Sequence, residues 1–333
     1  MIDLELFMQI LGIESTSGSE KELAGFLAGR LEAGDVRDVR TYDVGDGTMN
    51  LLFSWGEPKT VFCTHMDTVP PYIPPRLEQG RIWGRGSCDA KGQIISMYTA
   101  CKELERQGCS DFALLLVSGE ETGSHGAKAF DATGFKGENL IIGEPTENKM
   151  VTASKGTKGF GLTFKGEAFH SGYPQWGSSA VDAFMDFFEA LRGFNFPDDP
   201  LLGPTTWNVG MLSSLNPQNV LSPSLSCRVY FRTTFASDAM VAPTVKKLAE
   251  GLPVEITENG GDEPSRYFTL EGFPTGPVSF GSDAPHLHGF SRKIIYGPGS
   301  IRFAHRDDEH VDLEDLLTAV RDYTKMYHLL SES

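Results

Sequence analysis

The 333-residue sequence predicts an α/β fold: a mostly parallel sheet covered by helices, with a small α+β domain inserted into it. Three observations carry that prediction. Helical and strand-like segments alternate through the first half and again near the C-terminus, as parallel strands joined by crossover helices do. From about Lys158 the texture changes to two strand–helix–strand units, which fit an insert with an antiparallel sheet. The chain is also too long for one core of ordinary size, so two domains are expected.

Taken in order, Met1–Leu11 and Ser19–Leu31 have helical spacing, and Ser19 followed by Glu22 is a capping-box pattern. Strands are expected at Val36–Tyr42, Met49–Phe53, Thr60–Thr64, Phe112–Ser118, Leu140–Ile142 and Met150–Ala153, with a long helix from about Gly92 to Gln107. The insert, 158–261, opens with a β-like run at Gly159–Lys165 that leads through Gly166 to His170. A helix at Ser178–Leu191, strands at Thr206–Leu212 and Leu225–Thr234, a helix at Asp238–Glu250 and a strand at Val254–Thr257 follow. The Pro/Gly-rich stretch Glu258–Gly281 returns the chain to the first domain, so 1–157 and 262–333 form one unit with hinges near Thr157 and Gly261. There Lys293–Tyr296 reads as a strand, Leu313–Leu330 as a closing helix, and His286 and His288 as part of a helix after Ala284.

Composition narrows the function classes. Hydrophobic residues at 40% and charged residues at 22% are those of a soluble globular enzyme. The longest apolar stretch, around Ala113–Val117, is far below the ~18–20 residues of a membrane span, and the start Met-Ile-Asp-Leu-Glu is no basic leader. A cytoplasmic protein with no membrane partner is therefore expected. Five cysteines without regular spacing favour free thiols in a reducing compartment. A net charge of −16 would repel phosphate backbones, which argues against nucleic-acid binding.

Metal-capable side chains stand in five short segments, each after an expected strand or a Gly-rich turn. In Val61-Phe-Cys-Thr-His65-Met-Asp67 a strand ends at an imidazole with a carboxylate two residues on, and Asp67 could take the other ring N–H of His65. Asp89 lies on a glycine-flanked loop before a helix, where the bland alternative is an N-cap. Glu120 and Glu121 are adjacent carboxylates after an apolar strand, an arrangement that costs several kcal/mol unless cations neutralise it. Neighbours along an extended chain point in opposite directions, so one could bind metal while the other faces substrate. Glu144 follows the strand ending at Ile142, and His305 lies beyond a strand and a turn.

Together these segments resemble the M20-type aminoacylase/peptidase family of dinuclear zinc hydrolases, which includes acetylornithine deacetylase, succinyl-diaminopimelate desuccinylase and a glutamate carboxypeptidase. The resemblance spans nearly the whole chain. It implies a zinc-hydrolase catalytic domain with a ferredoxin-like lid and dimerisation domain inserted after the fourth ligand segment. By position, His65 and Glu144 would hold one Zn²⁺, Glu121 and His305 the other, and Asp89 would bridge them, with Co²⁺ as a substitute metal. Glu120 would be the general base and Asp67 its catalytic neighbour beside His65. The coordination count agrees, since two tetrahedral zincs about 3.5 Å apart need eight donor positions, which a bridging Asp89, a bridging water and the four other ligands supply.

In the lid, Lys158-Gly159 and Gly166-Glu-Ala-Phe-His170 match the start of the family's insert, so His170 would help stabilise the oxyanion, and a lid-mediated homodimer is expected. Asn219 and Arg232 match positions that hold a substrate's free carboxylate, for which a guanidinium is suited. His310 competes with His305 for the ligand role, but His305 stands four residues before Glu309, as in the family pattern. The run Gly297-Pro-Gly-Ser-Ile with Ala304-His305 and Asp308-Glu309 looks most like the acetylornithine, acetylcitrulline and acetyl-lysine deacetylase branch, whose place in arginine biosynthesis is the implied context. The expected substrate is thus the amide of an N-acyl amino acid, with a di- or tripeptide or a carboxypeptidase substrate as the alternative. The compact loop Pro70–Arg76 and the short stretch Glu258–Gly281 depart from relatives where the family lines its substrate pocket.

Overall fold

The computed structural model describes residues 1–32 and 38–332. These divide into two compact units, Met1–Thr152 with Tyr267–Gly276 and Ser282–Ser333, and Ala153–Arg266 with Pro277–Gly281.

The first unit is built on a six-stranded sheet in the spatial order Asp38–Gly45, Thr48–Trp55, Phe112–Val117, Thr60–His65, Gly137–Ile142, Phe290–Ile295. The last four run parallel, and the first two form an antiparallel margin. The sheet is thus mixed, with three parallel and two antiparallel pairings. Residues 36 and 37 of the expected strand Val36–Tyr42 lie outside the described residues; the strand is observed from Asp38.

The run Phe-Ala-Leu-Leu-Leu-Val at 112–117 is buried at every position because both faces of this central strand are covered. On one face Leu114 and Leu116 join Phe53, Phe62 and Ile141 under the helices Leu4–Gly12, Lys21–Glu32, Lys91–Arg106 and Leu313–Ser331. Near the Asp38–Gly45 strand, Phe130 of the helix His125–Asp131 packs edge-on against Tyr42, 5.3 Å between centroids. The helix Lys21–Glu32 begins one turn position later than the capping box placed it. The Glu20 carbonyl accepts the Ala24 amide, and the Glu20 carboxylate is committed elsewhere, to the Gly119 amide at 3.0 Å.

The second unit is a four-stranded antiparallel sheet ordered Thr206–Ser213, Ser224–Thr233, Gly156–Lys165, Val254–Glu258. With the helices Ala180–Gly193 and Asp238–Leu248 the chain order is strand–helix–strand–strand–helix–strand, a ferredoxin-like arrangement. The strict alternation of exposed and buried residues along Ser224–Leu225–Ser226–Cys227–Arg228–Val229–Tyr230–Phe231 shows a sheet with one wet face. Its dry face packs Phe160, Phe164, Val229 and Phe231 onto Phe187, Leu191 and Val241.

Three elements differ from the sequence reading. Ala284–His286 is a three-residue 3₁₀ turn rather than a helix carrying His286 and His288. The short helix His125–Asp131 was not among the expected elements. A small sheet of Arg76–Glu78, Arg81–Trp83 and His310–Asp312 was not anticipated, because three-residue strands carry too little period to detect. The five cysteines are all unpaired. No described helix is long and apolar enough to cross a membrane.

Candidate metal centre

Every expected ligand of the first unit follows a strand end or opens a helix, which is where a parallel sheet presents its functional loops. His65 is the last residue of Thr60–His65. Glu120 and Glu121 come three and four residues after the strand that ends at Val117, and Glu144 two residues after the one that ends at Ile142. Asp89 stands two residues before the helix Lys91–Arg106, joined to Ala90 by a cis peptide bond. His305 lies in the turn beyond Phe290–Ile295, with a left-handed φ of 63°.

The fold draws His65, Asp89, Glu121 and His305 together. His65 Nε2 is 3.1 Å from Asp89 Oδ1, while His305 Nε2 is 3.4 Å from Asp89 Oδ2 and 2.9 Å from Glu121 Oε1. His65, Asp89 and Glu121 each offer a donor atom within 4.8 Å of the others. The two oxygens of Asp89 thus face two different imidazoles, the disposition of a carboxylate that bridges two ions. His65 Nδ1 lies 2.9 Å from the Asp67 carbonyl oxygen and 3.4 Å from the Asp67 carboxylate. A proton on Nδ1 donated to that carbonyl leaves the Nε2 lone pair directed at the cluster.

The carboxylate of Asp67 has a further task. Its Oδ1 accepts the Glu120 amide at 3.0 Å, and its Oδ2 accepts the Glu121 amide at 3.1 Å and the Ser17 hydroxyl at 2.7 Å. Glu120 and Glu121 therefore do not diverge as neighbours on an extended strand. They lie in a turn closed by the Gly123 and Ser124 amides on the Glu120 carbonyl, at 3.0 and 3.2 Å, and the turn is pinned by Asp67. Gly119, at φ 70°, supplies the left-handed residue that lets the chain leave the strand into it.

The electrostatics fit cations. Burial opposes protonation of His65, but the Asp67 and Asp89 carboxylates outweigh it and hold the pKa well above the ordinary range. Hydrogen bonds to Asp89 and Glu121 push His305 up to about 10. Asp89 is drawn far below the usual carboxylate range: its burial pulls the other way but is overcome by His305 and His65. Glu120 is raised well above that range, first by burial and then by Asp283, Glu121 and Asp89, with His65 opposing. Burial, Glu120 and Asp89 raise Glu144 in the same way. Carboxylates crowded this closely are relieved by positive charge, and two imidazoles with three carboxylates form a donor set that suits Zn²⁺.

His310 is held apart from this cluster. Its ring lies 4.3 Å from that of Trp83 and 4.1 Å from that of Phe303, with Nδ1 2.8 Å from the Asp308 carbonyl. His170, Asn219 and Arg232 belong to the second unit. His170 is exposed, its Nδ1 accepts the Gly172 amide at 3.1 Å, and it bridges to Val220. The Ser171 amide donates to the Asn219 carbonyl at 2.9 Å, so His170 and Asn219 are neighbours. Arg232 lies on Ser224–Thr233 with its guanidinium 5.2 Å from the Tyr230 ring centre.

Asp283 was missed by sequence reasoning. It is buried, its Oδ1 has no hydrogen-bond partner among the described residues, and burial pushes its pKa up to about 6. Its charge is felt by Glu120 and Glu144. The sequence offered one signal, an acid in Gly281-Ser-Asp-Ala-Pro285, but no preceding strand tied it to the site.

The profile of peptidase family M20/M25/M40 matches residues 61–328. This chain belongs to that family. It is 32% identical, over 341 residues, to a peptidase M20 domain-containing protein of Schizosaccharomyces pombe, covering 97% of this chain and 83% of that protein. It is 32% identical over 370 residues to a probable carboxypeptidase of Aspergillus oryzae, covering 97% of this chain and 86% of that one. Among solved structures, a tripeptidase from Staphylococcus aureus superposes with a TM-score of 0.85 at 18% identity and covers both chains fully, a likeness of fold. Family members typically hold two metal ions, and the chain is a metallopeptidase of this family.

Proposed function

We propose that this protein is a two-metal peptidase that hydrolyses the amide of a short peptide beside a free carboxylate, with Glu120 as general base. The observation that carries the reading is Asp89, whose two oxygens face His65 and His305 at 3.1 and 3.4 Å. His65 with Glu144 would hold one Zn²⁺, and Glu121 with His305 the other. When bound, such ions would acidify water toward neutral pH and polarise the amide carbonyl.

The residues of the chain then divide the remaining work. Asp67 fixes the turn that aims Glu120. Glu120 would take the proton of the attacking water and return it to the leaving nitrogen. His170 would donate to the carbonyl oxygen as it becomes an oxyanion. Arg232, with Asn219, would hold the substrate carboxylate through a forked pair of hydrogen bonds. The likeness to a probable carboxypeptidase along nearly the full chain supports a peptide substrate.

A second reading, deacetylation of an N-acetyl amino acid in arginine biosynthesis, is favoured by the run Gly297-Pro-Gly-Ser-Ile alone. A panel of dipeptides, tripeptides and acetylated ornithine, citrulline and lysine separates the two, assayed with added Zn²⁺ or Co²⁺ and after chelation. Turnover confined to peptides upholds the first reading, turnover confined to acetylated amino acids overturns it, and activity that survives complete metal removal overturns both.

The second unit would also be the dimerisation domain. Its sheet-edge strand Thr206–Ser213 exposes Met211 and Leu212, and Leu215 just beyond is almost fully exposed, at 94%.

A further inference from the structure

Arg85 and Glu309 are among the most deeply buried charges of the first unit, with side-chain exposures of 2% and 0%, and no step of the proposed reaction uses either. Arg85 Nη1 donates to Glu309 Oε2 at 2.6 Å. The other oxygen, Oε1, accepts three main-chain amides, those of Gly86, Cys88 and Asp89, at 2.9, 3.1 and 3.1 Å. Successive amides that converge on one point form a concavity for an anion. Here the anion is a side chain from 220 residues further along the chain.

We propose that Glu309 is a positioning residue for the metal centre: braced by Arg85, its carboxylate clamps the loop 86–89 so that Asp89 presents one oxygen to each imidazole. This rests on the bridging role proposed for Asp89.

Three features support the clamp. Arg85 also donates from Nε to the Pro71 carbonyl and from Nη1 to the Arg306 carbonyl, both at 3.1 Å. Pro71 lies six residues beyond His65, and Arg306 adjoins His305. The pair therefore ties the Asp89 loop to the segments of both imidazoles. Gly86 has a left-handed φ of 84°, and a Cβ there would lie 2.9 Å from the Lys91 and Thr68 side chains, so the loop's path depends on glycine. A buried ion pair is a poor choice for stability alone, since an apolar pair of similar volume often serves as well. What an apolar pair cannot do is gather three amides at once.

The test uses Glu309→Gln in the full chain. Cobalt affinity is measured by competition with a chromophoric chelator well below the melting temperature, together with the visible absorption of bound Co²⁺, which reports coordination geometry. Because Gln leaves Arg85 buried without its counter-charge and the variant could fail to fold, the double variant Arg85→Met/Glu309→Gln carries the same measurements. Leu27→Ala, a core truncation remote from the loop, is the control for mere destabilisation. The expected result is Co²⁺ affinity 10–100-fold weaker with an altered spectrum in the Glu309 variants. In Leu27→Ala both stay unchanged while the melting temperature falls. Affinity within twofold of the unsubstituted protein and an unchanged spectrum in a folded Glu309 variant would overturn the clamp. Failure of the unsubstituted protein to bind two Co²⁺ would instead overturn the metal-centre reading beneath it.

Discussion

Glu120→Gln isolates the proposed general base from everything else at the site. The swap preserves shape, and the main-chain bond from residue 120 to Asp67 Oδ1, 3.0 Å, does not depend on the side chain. The turn and its neighbour Glu121 should therefore keep their places. Glu120 is not among the proposed ligands, so metal content should stay at two per chain. What disappears is the proton acceptor. General acid–base catalysis is worth roughly 10²–10⁴ in rate, or about 3–5 kcal/mol of barrier, and kcat should fall by that factor while KM changes little. Stability should move the other way. Glu120 stands in the field of Asp283, Glu121 and Asp89, all of which raise its pKa, so a neutral amide relieves repulsion and the metal-free protein should melt no lower than the unsubstituted one. Metal analysis, steady-state kinetics on a responsive peptide and a thermal melt check the three parts. Turnover within tenfold of the unsubstituted enzyme at full metal content would remove Glu120 from the mechanism, and loss of one metal would make it a ligand instead.

Three further outcomes follow from the same geometry. His305→Ala should lose about one of the two metals, because its Nε2 faces Asp89 and Glu121, whereas His310→Ala should keep both and lose about 2–4 kcal/mol of stability as the space between Trp83 and Phe303 empties. Asp283→Asn should stabilise the metal-free protein by roughly 3 kcal/mol at pH 7.5, since burial lifts the Asp283 pKa from 3.8 to about 6. The sign follows from linkage: an acid with a raised folded pKa costs nothing below its unfolded pKa and destabilises as pH rises through the folded value, so the gain should vanish below pH 3.8. A gain independent of pH would refute that origin. Met211→Glu with Leu215→Glu should shift the proposed dimer to monomer in light scattering, and an unchanged dimer would exclude the exposed edge of the second unit as the interface.

The legible parts of this molecule are those where a local pattern and a global constraint coincide. Phe112–Val117 announces a doubly covered strand because every residue is apolar, and the acids after it stand out because nothing else in such a strand would tolerate them. The same logic exposed His65 and Glu144, each at the end of a parallel strand. His305 was distinguished from His310 only through its spacing to Glu309, and the fold draws His305 to Glu121 while it buries His310 between two rings. Elements with no period were illegible. The seven residues His125–Asp131 make barely two helical turns, and Pro285 lies in a turn rather than opening a helix.

Most instructive is what long-range contacts do to local inference. Adjacent carboxylates were expected to point apart because strand neighbours do, yet Glu120 and Glu121 lie in a turn, and what orients them is a carboxylate more than 50 residues earlier. Glu309 served in the sequence only as a spacing mark for His305, and in the fold its carboxylate gathers three amides of the loop that carries Asp89. In both cases one buried acid satisfies main-chain donors that no helix or strand supplies, at a point where the chain must hold an irregular path. Such donors are costly to leave unpaired in a buried loop, so each irregular ligand segment needs an acceptor imported from elsewhere. The proposed ligands stand out at strand ends because the sheet's regularity places those residues there. Their supports cannot, since Asp67, Glu309 and Glu20 reach the amides of residues 120, 86 and 119 across sequence separations of 53 to 223 residues.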